Sequence, residues 1–242
     1  MNRTFVIGDI HGGLRALTQL MERIQPKADD KFIFLGDYVD GWSESAQVIS
    51  FLIDLDTKHE CVFIKGNHDE YCAKWLRTNI EFEPWLIQGG QATVDSYKTY
   101  SDSDKATHLN FIERTKFYHI DEMNRLFIHA GFSSLHGPSQ ERYETNYYWD
   151  RTLWETVIAL DTNIPIDSPR YPKRLKHFSE IFIGHTPTID YGESQPIHIA
   201  NLWNTDTGAG FYGKLSAVEL NSKEIFQSDN LPSLYPNEKG RN

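Results

Sequence analysis

The chain has 242 residues, enough for one α/β domain with a large core. Its hydrophobic content of 39% and aromatic content of 13% are those of a globular protein and exclude extensive disorder. The formal charge of −10 argues against sequence-independent nucleic-acid binding, which depends on lysine and arginine, but it does not exclude a phosphorylated substrate, since bound cations can reverse the potential inside a cleft.

Short apolar runs alternate with helical patterns in the first third of the chain. The runs 5–7, 32–35 and 62–64 each lead into a glycine-bounded turn, and apolar residues recur at helical spacing after the first two. This alternation predicts a mixed or parallel sheet flanked by helices. Functional groups in such sheets collect at the carboxyl ends of the strands, where all three turns fall.

The remaining chain is predicted to hold one longer helical region and several strands. The helical region covers residues 93–116 with a polar interruption at 101–104. A proline-rich segment, 132–179, is interpreted as a long insertion with little helix. We expect one catalytic domain over residues 1–228 and a polar tail, 229–242, that frays. The predicted later strands are 126–128, 181–183, 197–202, 215–220 and 224–227.

The N-terminal residues and the hydropathy pattern bear on location. Residues Met1–Val6 enter a strand pattern without an apolar leader, and no run of 18 apolar residues occurs. We therefore expect a cytoplasmic protein that does not interact with membranes. Cys61 lies in an apolar run, so it and Cys72 are predicted to be reduced thiols.

Five short motifs place metal-seeking side chains directly after predicted strands. Asp9 and His11 lie two residues apart, so they project from the same side of an extended segment and suit one divalent ion. Asp37 has two carboxylate oxygens and can bridge two ions. The motifs are Gly8-Asp9-Ile10-His11-Gly12, Gly36-Asp37-Tyr38-Val39-Asp40-Gly41, Gly66-Asn67-His68-Asp69, His129-Ala130-Gly131 and Ile183-Gly184-His185-Thr186.

The later motifs supply the donors for a second ion. Asn67 offers an amide oxygen, and His129 and His185 offer imidazoles. Because no thiolate takes part, the pattern favours two divalent ions, manganese first and iron or zinc next, over a structural zinc site. Two such ions roughly 3.5–4 Å apart can hold a hydroxide and aim it at phosphorus.

These motifs, in this order, resemble those of the metal-dependent phosphoprotein phosphatases, in particular the bacterial Ser/Thr phosphatases of the calcineurin-like metallophosphoesterase superfamily. That family is marked by Gly-Asp-x-His-Gly, Gly-Asp-x-Val-Asp-Arg-Gly and Gly-Asn-His-Glu, followed by ligand histidines. The similarity covers roughly residues 4–220. It implies an α/β (α+β) fold, the four-layer αββα sandwich, with a dinuclear metal site at the strand ends.

The resemblance also implies a role for each motif residue. His68 would be the general acid that protonates the leaving alkoxide, and Asp40 would hold and polarise it. Asn67 would also contact the substrate phosphate. His68 as a further metal ligand stays an alternative, although adjacent side chains of an extended segment point to opposite sides. The implied metal ligands are Asp9, His11 and Asp37 for the first ion, and Asp37, Asn67, His129 and His185 for the second.

Three positions depart from the family pattern. Gly41 and Trp42 stand where the family has Arg-Gly, so one phosphate-clamping arginine is missing. Asp69 replaces the usual glutamate, and the motif 129–131 is His-Ala-Gly, both as in bacterial members. Arg151 resembles an arginine that bacterial relatives carry after the fourth motif. Its planar fork can hold phosphate oxygens in bidentate fashion, so Arg151 is the candidate phosphate-binding arginine.

The leading hypothesis is a phosphomonoesterase that hydrolyses phosphoserine and phosphothreonine, with phosphotyrosine as a further candidate, by in-line attack of a metal-bridging hydroxide. Its expected partner is a phosphoprotein or a small phosphoester. The alternative is a dinucleoside polyphosphate hydrolase, similar to the bacterial diadenosine tetraphosphatases, which share the Gly-Asn-His-Asp and His-Ala-Gly forms. Their second motif generally lacks the aspartate matched by Asp40, which favours the protein phosphatase. A catalytically dead phosphoprotein-binding module is supported only by the missing arginine.

Overall fold

The computed structural model describes residues 3–241, which form two five-stranded sheets with helices on their outer faces. The strands are β1 Thr4–Ile7, β2 Lys31–Phe34, β3 Glu60–Phe63, β4 Tyr118–Ile120, β5 Arg125–Ile128, β6 Glu180–Ile183, β7 Ile197–Ile199, β8 Leu202–Asn204, β9 Lys214–Glu219 and β10 Ile225–Asn230. The helices are α1 Leu14–Ile24, α2 Ser45–Asp56, α3 Asn67–Thr78, α4 Glu83–Trp85, α5 Gln91–Ser96, α6 Asp102–Glu113, α7 Asn146–Trp149, α8 Thr152–Ile158 and α9 Leu231–Leu234.

Both sheets are mixed. The first has the order β10-β9-β1-β2-β3, and β1, β2 and β3 run parallel. The second has the order β4-β5-β6-β8-β7, and β5, β6 and β8 run parallel. The carboxyl ends of the parallel strands therefore form one edge in each sheet, and the five motifs follow strands at these edges.

Three apolar layers fill the space between and outside the sheets. The layer between them contains side chains from both, including Val6, Ile33, Phe127 and Phe182. A second layer packs α1, α2, α3 and α6 against the first sheet, and a third packs α7 and α8 against the second sheet. Strands that are covered on both faces read as continuous apolar runs, which is the pattern seen in the sequence. The predicted αββα sandwich is confirmed.

The predicted helical region at 93–116 consists of two helices. Ser101 is the N-cap of α6, and its hydroxyl accepts a hydrogen bond from the Asp104 amide while the Asp104 carboxylate accepts one from the Ser101 amide. The polar interruption is therefore a capping box that starts a new helix. No helix among residues 3–241 is long and apolar enough to cross a membrane.

Two expectations about the last part of the chain were wrong. The strand expected at 197–202 is an antiparallel pair, β7 and β8, which turns at Ala200, where φ is 54°. The segment after β10 packs against the domain instead of fraying, because Leu231 and Tyr235 are buried. Both residues lie among polar neighbours in the sequence, so the hydropathy pattern did not indicate their burial. The single domain and the insertion at 132–179 remain predictions.

Candidate active site

The metal-seeking residues of the motifs lie together in one buried region between the two sheets. Asp9 follows β1 and Asp37 follows β2 in the first sheet, whereas His129 follows β5 and His185 follows β6 in the second. None of these four residues is more than 8% exposed. The opposed strand ends thus bring distant parts of the sequence to one place.

Several of these residues have an unusual backbone conformation. His11, Asp37, Asp40 and His185 have φ values of 52°, 51°, 70° and 69°. This left-handed conformation costs most side chains roughly 1–2 kcal/mol per residue, and aspartate less, because its short polar side chain can hydrogen-bond locally. The surroundings hold it in place. For example, the Asp69 carboxylate accepts hydrogen bonds from the backbone amides of Asp37 and Tyr38, both at 2.8 Å.

Asp37 occupies the centre of the donor set. Its Oδ2 lies 3.6 Å from His11 Nε2 and 3.5 Å from His129 Nε2. Backbone carbonyls fix both imidazoles, since the His11 Nδ1 lies 3.0 Å from the Asp40 oxygen and the His129 Nδ1 lies 2.8 Å from the Leu35 oxygen. A carbonyl can only accept, so each Nδ1 carries the proton and each Nε2 can face a metal ion.

Asn67 joins the two histidines of the second sheet. Its Oδ1 lies 3.1 Å from His129 Nε2 and 3.0 Å from His185 Nδ1. Ligand atoms of Asp37, His129 and His185 also lie within 4.8 Å of one another. The amide oxygen, the carboxylate and the two imidazoles therefore converge as the resemblance implied for one ion.

The other donor group is His11, Asp37 and His68, again with ligand atoms within 4.8 Å of one another. Asp9 is in neither group. Its Oδ2 accepts a hydrogen bond from the His185 amide at 3.0 Å, and its Oδ1 is buried without a partner. The role of Asp9 as a first-ion ligand remains a prediction, and His68 remains an alternative ligand on this side.

His68 and Asp40 form the predicted pair. The His68 Nδ1 lies 2.7 Å from Asp40 Oδ2, and both side chains are almost fully buried. Asp40 is itself held by Trp85 Nε1 and Thr93 Oγ1, each at 2.6 Å. Trp85 and Thr93 were not predicted as site residues, because nothing near them in the sequence indicates a contact with a residue more than 40 positions away.

The local structure around His68 differs from the expectation. Asn67 and His68 are the first residues of α3, whereas the sequence analysis assumed an extended segment. Successive side chains on a helix still diverge by about 100°, so Asn67 can face the second-sheet histidines while His68 faces Asp40. Asn67 and His68 thus point in different directions, as expected, but they do so on a helix and not on an extended segment.

Buried negative charge marks the same region as suitable for cations. Burial raises the pKa of Asp9, and the nearby carboxylates of Asp206 and Asp37 raise it further. Burial also raises the pKa of Asp206 to about 6, and burial together with Asp37 raises that of Asp69 to about 7. Together with the unpartnered Asp9 Oδ1 and the oxygen and imidazole donors, this charge fits divalent cations.

The histidines respond to the same charges. Burial lowers the pKa of His11 and His185, which keeps both imidazoles neutral. Burial alone would also lower the pKa of His129, but Asp37 raises it to about 10. Without a metal ion, a charged His129 therefore balances the Asp37 carboxylate.

A pocket of about 140 Å³ opens above the donors. Arg151, just before α8, lines it and is exposed, as is Trp149, whose ring meets that of His185 edge-to-face at 5.8 Å. Phe211 and Arg241 line it as well. Arg151 is thus at the pocket, as expected, whereas Arg241 comes from the segment expected to fray and was missed.

The fold and the buried donor set together define a metal-dependent phosphoesterase. The sequence matches the calcineurin-like phosphoesterase family over residues 3–214, and the chain belongs to this family. Family membership supports a dinuclear divalent metal site, and the two donor groups around Asp37 agree with it. The superfamily resemblance is confirmed.

Individual proteins that are similar to this chain are named for two different substrate classes. A bis(5'-nucleosyl)-tetraphosphatase PrpE (asymmetrical) from Oceanobacillus iheyensis is 27% identical, over 91% of this chain and 89% of that protein. Among solved structures, a protein provisionally named a diadenosine tetraphosphatase has a TM-score of 0.65 at 17% identity, covering 93% of this chain and 92% of that one. A Ser/Thr phosphatase from Saccharomyces cerevisiae has a TM-score of 0.61 at 14% identity, covering 94% and 80%. The structural likenesses support the fold alone.

Proposed function

We propose that the protein is a metal-dependent hydrolase of dinucleoside polyphosphates, the alternative considered from the sequence. The observation that carries the proposal is the similarity to a bis(5'-nucleosyl)-tetraphosphatase along nearly the whole length of both chains. The pocket is compatible with it. Rings of Trp149 and Phe211 and the guanidinium groups of Arg151 and Arg241 line the same opening, so aromatic and cationic surfaces are available for bases and phosphates.

The size of the pocket agrees with a substrate held mainly outside it. Pockets that enclose a drug-sized ligand have volumes of roughly 300–1,000 Å³. At about 140 Å³, this pocket takes in the reacting phosphate, and the rest of the substrate lies on the surrounding surface. The exposed ring of Trp149 belongs to that surface. Tyr212, whose ring is also exposed, follows Phe211 in the sequence.

Asp40 does not weigh against this substrate class. Its carboxylate is fully buried and hydrogen-bonded to His68, Trp85 and Thr93. It can act on the reaction only through His68, and an oriented His68 serves any phosphoester. Its presence therefore supports general acid catalysis without selecting a phosphoprotein.

The chemistry at the site divides between the metal ions and the protein. Two divalent ions, manganese in the first instance, would lower the pKa of a water molecule and polarise the phosphoryl oxygens. The ions would be held by Asp37, together with His11 in one donor group and Asn67, His129 and His185 in the other. Asn67 would also donate its amide N–H to the substrate phosphate.

His68 provides the proton for the leaving group. Asp40 accepts the Nδ1 hydrogen, so Nε2 is the nitrogen that can donate a proton to the leaving oxygen. The buried carboxylate stabilises the charged imidazolium until the transfer occurs, much as the aspartate of a catalytic triad does. Arg151, which also lines the pocket, would hold non-bridging phosphate oxygens.

A side-by-side assay tests the proposal. Manganese-loaded protein is given diadenosine tetraphosphate, phosphoserine and phosphothreonine peptides, and p-nitrophenyl phosphate, with Asp37→Asn as the inactive control. We expect kcat/KM for the dinucleotide to exceed that for the peptides by roughly tenfold or more, a difference of about 1.4 kcal/mol in transition-state binding. A preference for the phosphopeptides would overturn the proposal in favour of the protein phosphatase.

A further inference from the structure

Gly41 stands where the family motif has an arginine, and its backbone conformation and close neighbours disfavour a larger residue. Its φ is 118°, a conformation that side chains other than glycine rarely adopt. A Cβ atom at this position would lie 3.1 Å from the Cγ of Arg241 and 3.3 Å from the His11 carbonyl oxygen. The space beside Gly41 is therefore filled by another arginine, which is 200 residues later in the sequence.

Three glycines together leave room for the Arg241 side chain. A Cβ at Gly89 would lie 3.1 Å from Arg241 Cγ, and a Cβ at Gly210 would lie 3.1 Å from Arg241 Cδ. Gly41, Gly89 and Gly210 come from three separate segments of the chain, and Gly89 lies in a short π-helical turn between α4 and α5. These three glycines, which are distant in the sequence, form a passage for the aliphatic part of the Arg241 side chain.

The polar end of Arg241 is also held in place. Its Nε donates a hydrogen bond to the Gln88 carbonyl at 3.2 Å, and its guanidinium lies over the Phe211 ring at 5.0 Å. Its Nη1 lies 3.3 Å from the His11 Nε2, the nitrogen that faces the donor centre. The guanidinium therefore points to the place where the phosphate of a substrate would meet the first metal ion.

The residue after Gly41 anchors the segment that carries Arg241. Trp42 stacks on Tyr235 with ring centroids 5.0 Å apart. The Glu238 carboxylate accepts hydrogen bonds from the Ser43 amide at 3.0 Å and the Ser43 hydroxyl at 2.8 Å. The Arg241 amide donates to the Gly210 carbonyl at 2.8 Å. Trp42 and Ser43 thus hold the segment in the position that inserts Arg241 into the site.

We propose that Arg241 is a phosphate-binding residue, which takes the place in space of the arginine that the second motif lacks. The change from Arg-Gly to Gly41-Trp42 has two linked effects, because the glycine vacates the space and the tryptophan anchors the segment that fills it. Arg241 and Arg151 then hold the phosphate from two sides. The inference rests on the proposed function for its phosphoester chemistry, but not for the nucleoside part of the substrate.

The test measures phosphate binding directly. Calorimetric titration of manganese-loaded protein with inorganic phosphate is combined with KM for p-nitrophenyl phosphate. For Arg241→Ala we expect phosphate affinity to fall and KM to rise by roughly tenfold to a hundredfold, the effect of losing one or two charge-assisted hydrogen bonds. Arg241→Lys restores only part of the affinity, since an ammonium group cannot bind two oxygens in a fixed fork.

Two controls separate this role from a general charge or structural effect. Lys239→Ala removes the same charge from the same segment, and we expect phosphate affinity within twofold of the unaltered protein. Guanidinium chloride at millimolar concentration is expected to restore activity to Arg241→Ala, which a merely structural role would not allow. Manganese content and melting temperature are expected to stay unchanged in Arg241→Ala and in Lys239→Ala.

Two results would overturn the inference. One is phosphate affinity in Arg241→Ala within twofold of that of the unaltered protein. The other is tighter manganese binding with unchanged phosphate affinity, because it would make the guanidinium a competitor for the cation at His11. Failure of the proposed function is a separate result. If diadenosine tetraphosphate is not cleaved but Arg241→Ala loses phosphate affinity, only the substrate class is wrong.

Discussion

The site has a floor and a rim, which differ in the burial of their side chains and in the elements that carry them. The floor consists of buried donors on short loops directly after strands or at the start of α3. The rim consists of exposed or partly exposed side chains from the segment around α7 and α8, the loop before β9 and the segment after β10. The floor residues are Asp9, His11, Asp37, Asn67, His129 and His185, and the rim residues are Trp149, Arg151, Phe211 and Arg241.

The difference indicates how the work of the enzyme is divided. The floor is fixed by two packed sheets and provides chemistry that many phosphoesterases share, so it defines the family but not the substrate. The rim comes from connecting segments, where substrate contacts commonly reside. We therefore expect changes in the floor to affect every substrate equally and changes in the rim to affect them unequally.

The largest effect is expected from Asp37→Asn in the floor. Replacing the central carboxylate with an amide removes the charge that lies between both donor groups, so kcat should fall by roughly 10³-fold or more for all substrates. Asp54→Asn, the same substitution on an exposed residue of α2 outside the pocket, should leave kcat unchanged. Steady-state kinetics and elemental analysis check both variants. Turnover of Asp37→Asn within tenfold of normal would contradict the central role.

His68→Asn is expected to have the next largest effect, and it depends on the leaving group. Loss of a general acid typically costs about 10²–10⁴-fold. The loss should be greatest for phosphoserine peptides, whose alkoxide is a poor leaving group, and smaller for p-nitrophenyl phosphate and dinucleotides. Metal content should not change. Loss of one ion per protein, with an equal loss of rate for all substrates, would instead identify His68 as a ligand.

Trp149→Ala should affect substrates unequally. Stacking of a base on an aromatic side chain contributes about 1–3 kcal/mol, so KM for diadenosine tetraphosphate should rise by roughly five- to a hundredfold. KM for p-nitrophenyl phosphate should stay within about threefold, since the smaller substrate needs only the pocket. Tyr143→Ala removes another exposed aromatic ring of the insertion and serves as the control. Equal effects of Trp149→Ala on both substrates would assign Trp149 to packing.

The smallest effect concerns pH and the floor alone. His129 has a pKa of about 10 without metal, so it is protonated at pH 7 and must lose that proton to bind an ion. The dissociation constant for manganese should therefore fall by about tenfold when the pH rises from 7 to 8. Calorimetry in buffers of different ionisation enthalpy should detect close to one proton released through His129. Affinity that is independent of pH in this range would show that His129 is already neutral.

The sandwich fold and the convergence of the floor residues could be predicted from the sequence, because the signals for both lie in neighbouring residues. Each donor directly follows an apolar run or a glycine turn, so neighbouring residues reveal both the strand and its functional end. His68 and Asp40 were paired for the same reason, although the helical start at Asn67 was missed. A helix that begins immediately after a strand turn leaves no periodic pattern before the motif.

The rim was much harder to predict, because its contacts join distant segments. Arg241 reaches the site through a passage formed by three distant segments, and no residue near Arg241 indicates this. Trp85 and Thr93 support Asp40 across more than 40 residues in the same manner. The substrate class was weighed on Asp40, a buried residue that contacts His68, so that choice used no information from the rim.

The left-handed backbone at four site residues means that a change that stabilises the fold there should lower turnover. These residues are His11, Asp37, Asp40 and His185. Glycine adopts this conformation without a Cβ clash, so replacing any of the four residues with glycine would remove the local backbone strain. A search for variants that survive heating should therefore return to these positions repeatedly, and the winners should be poor enzymes. Natural selection for activity preserves a local weakness that selection for durability alone would remove.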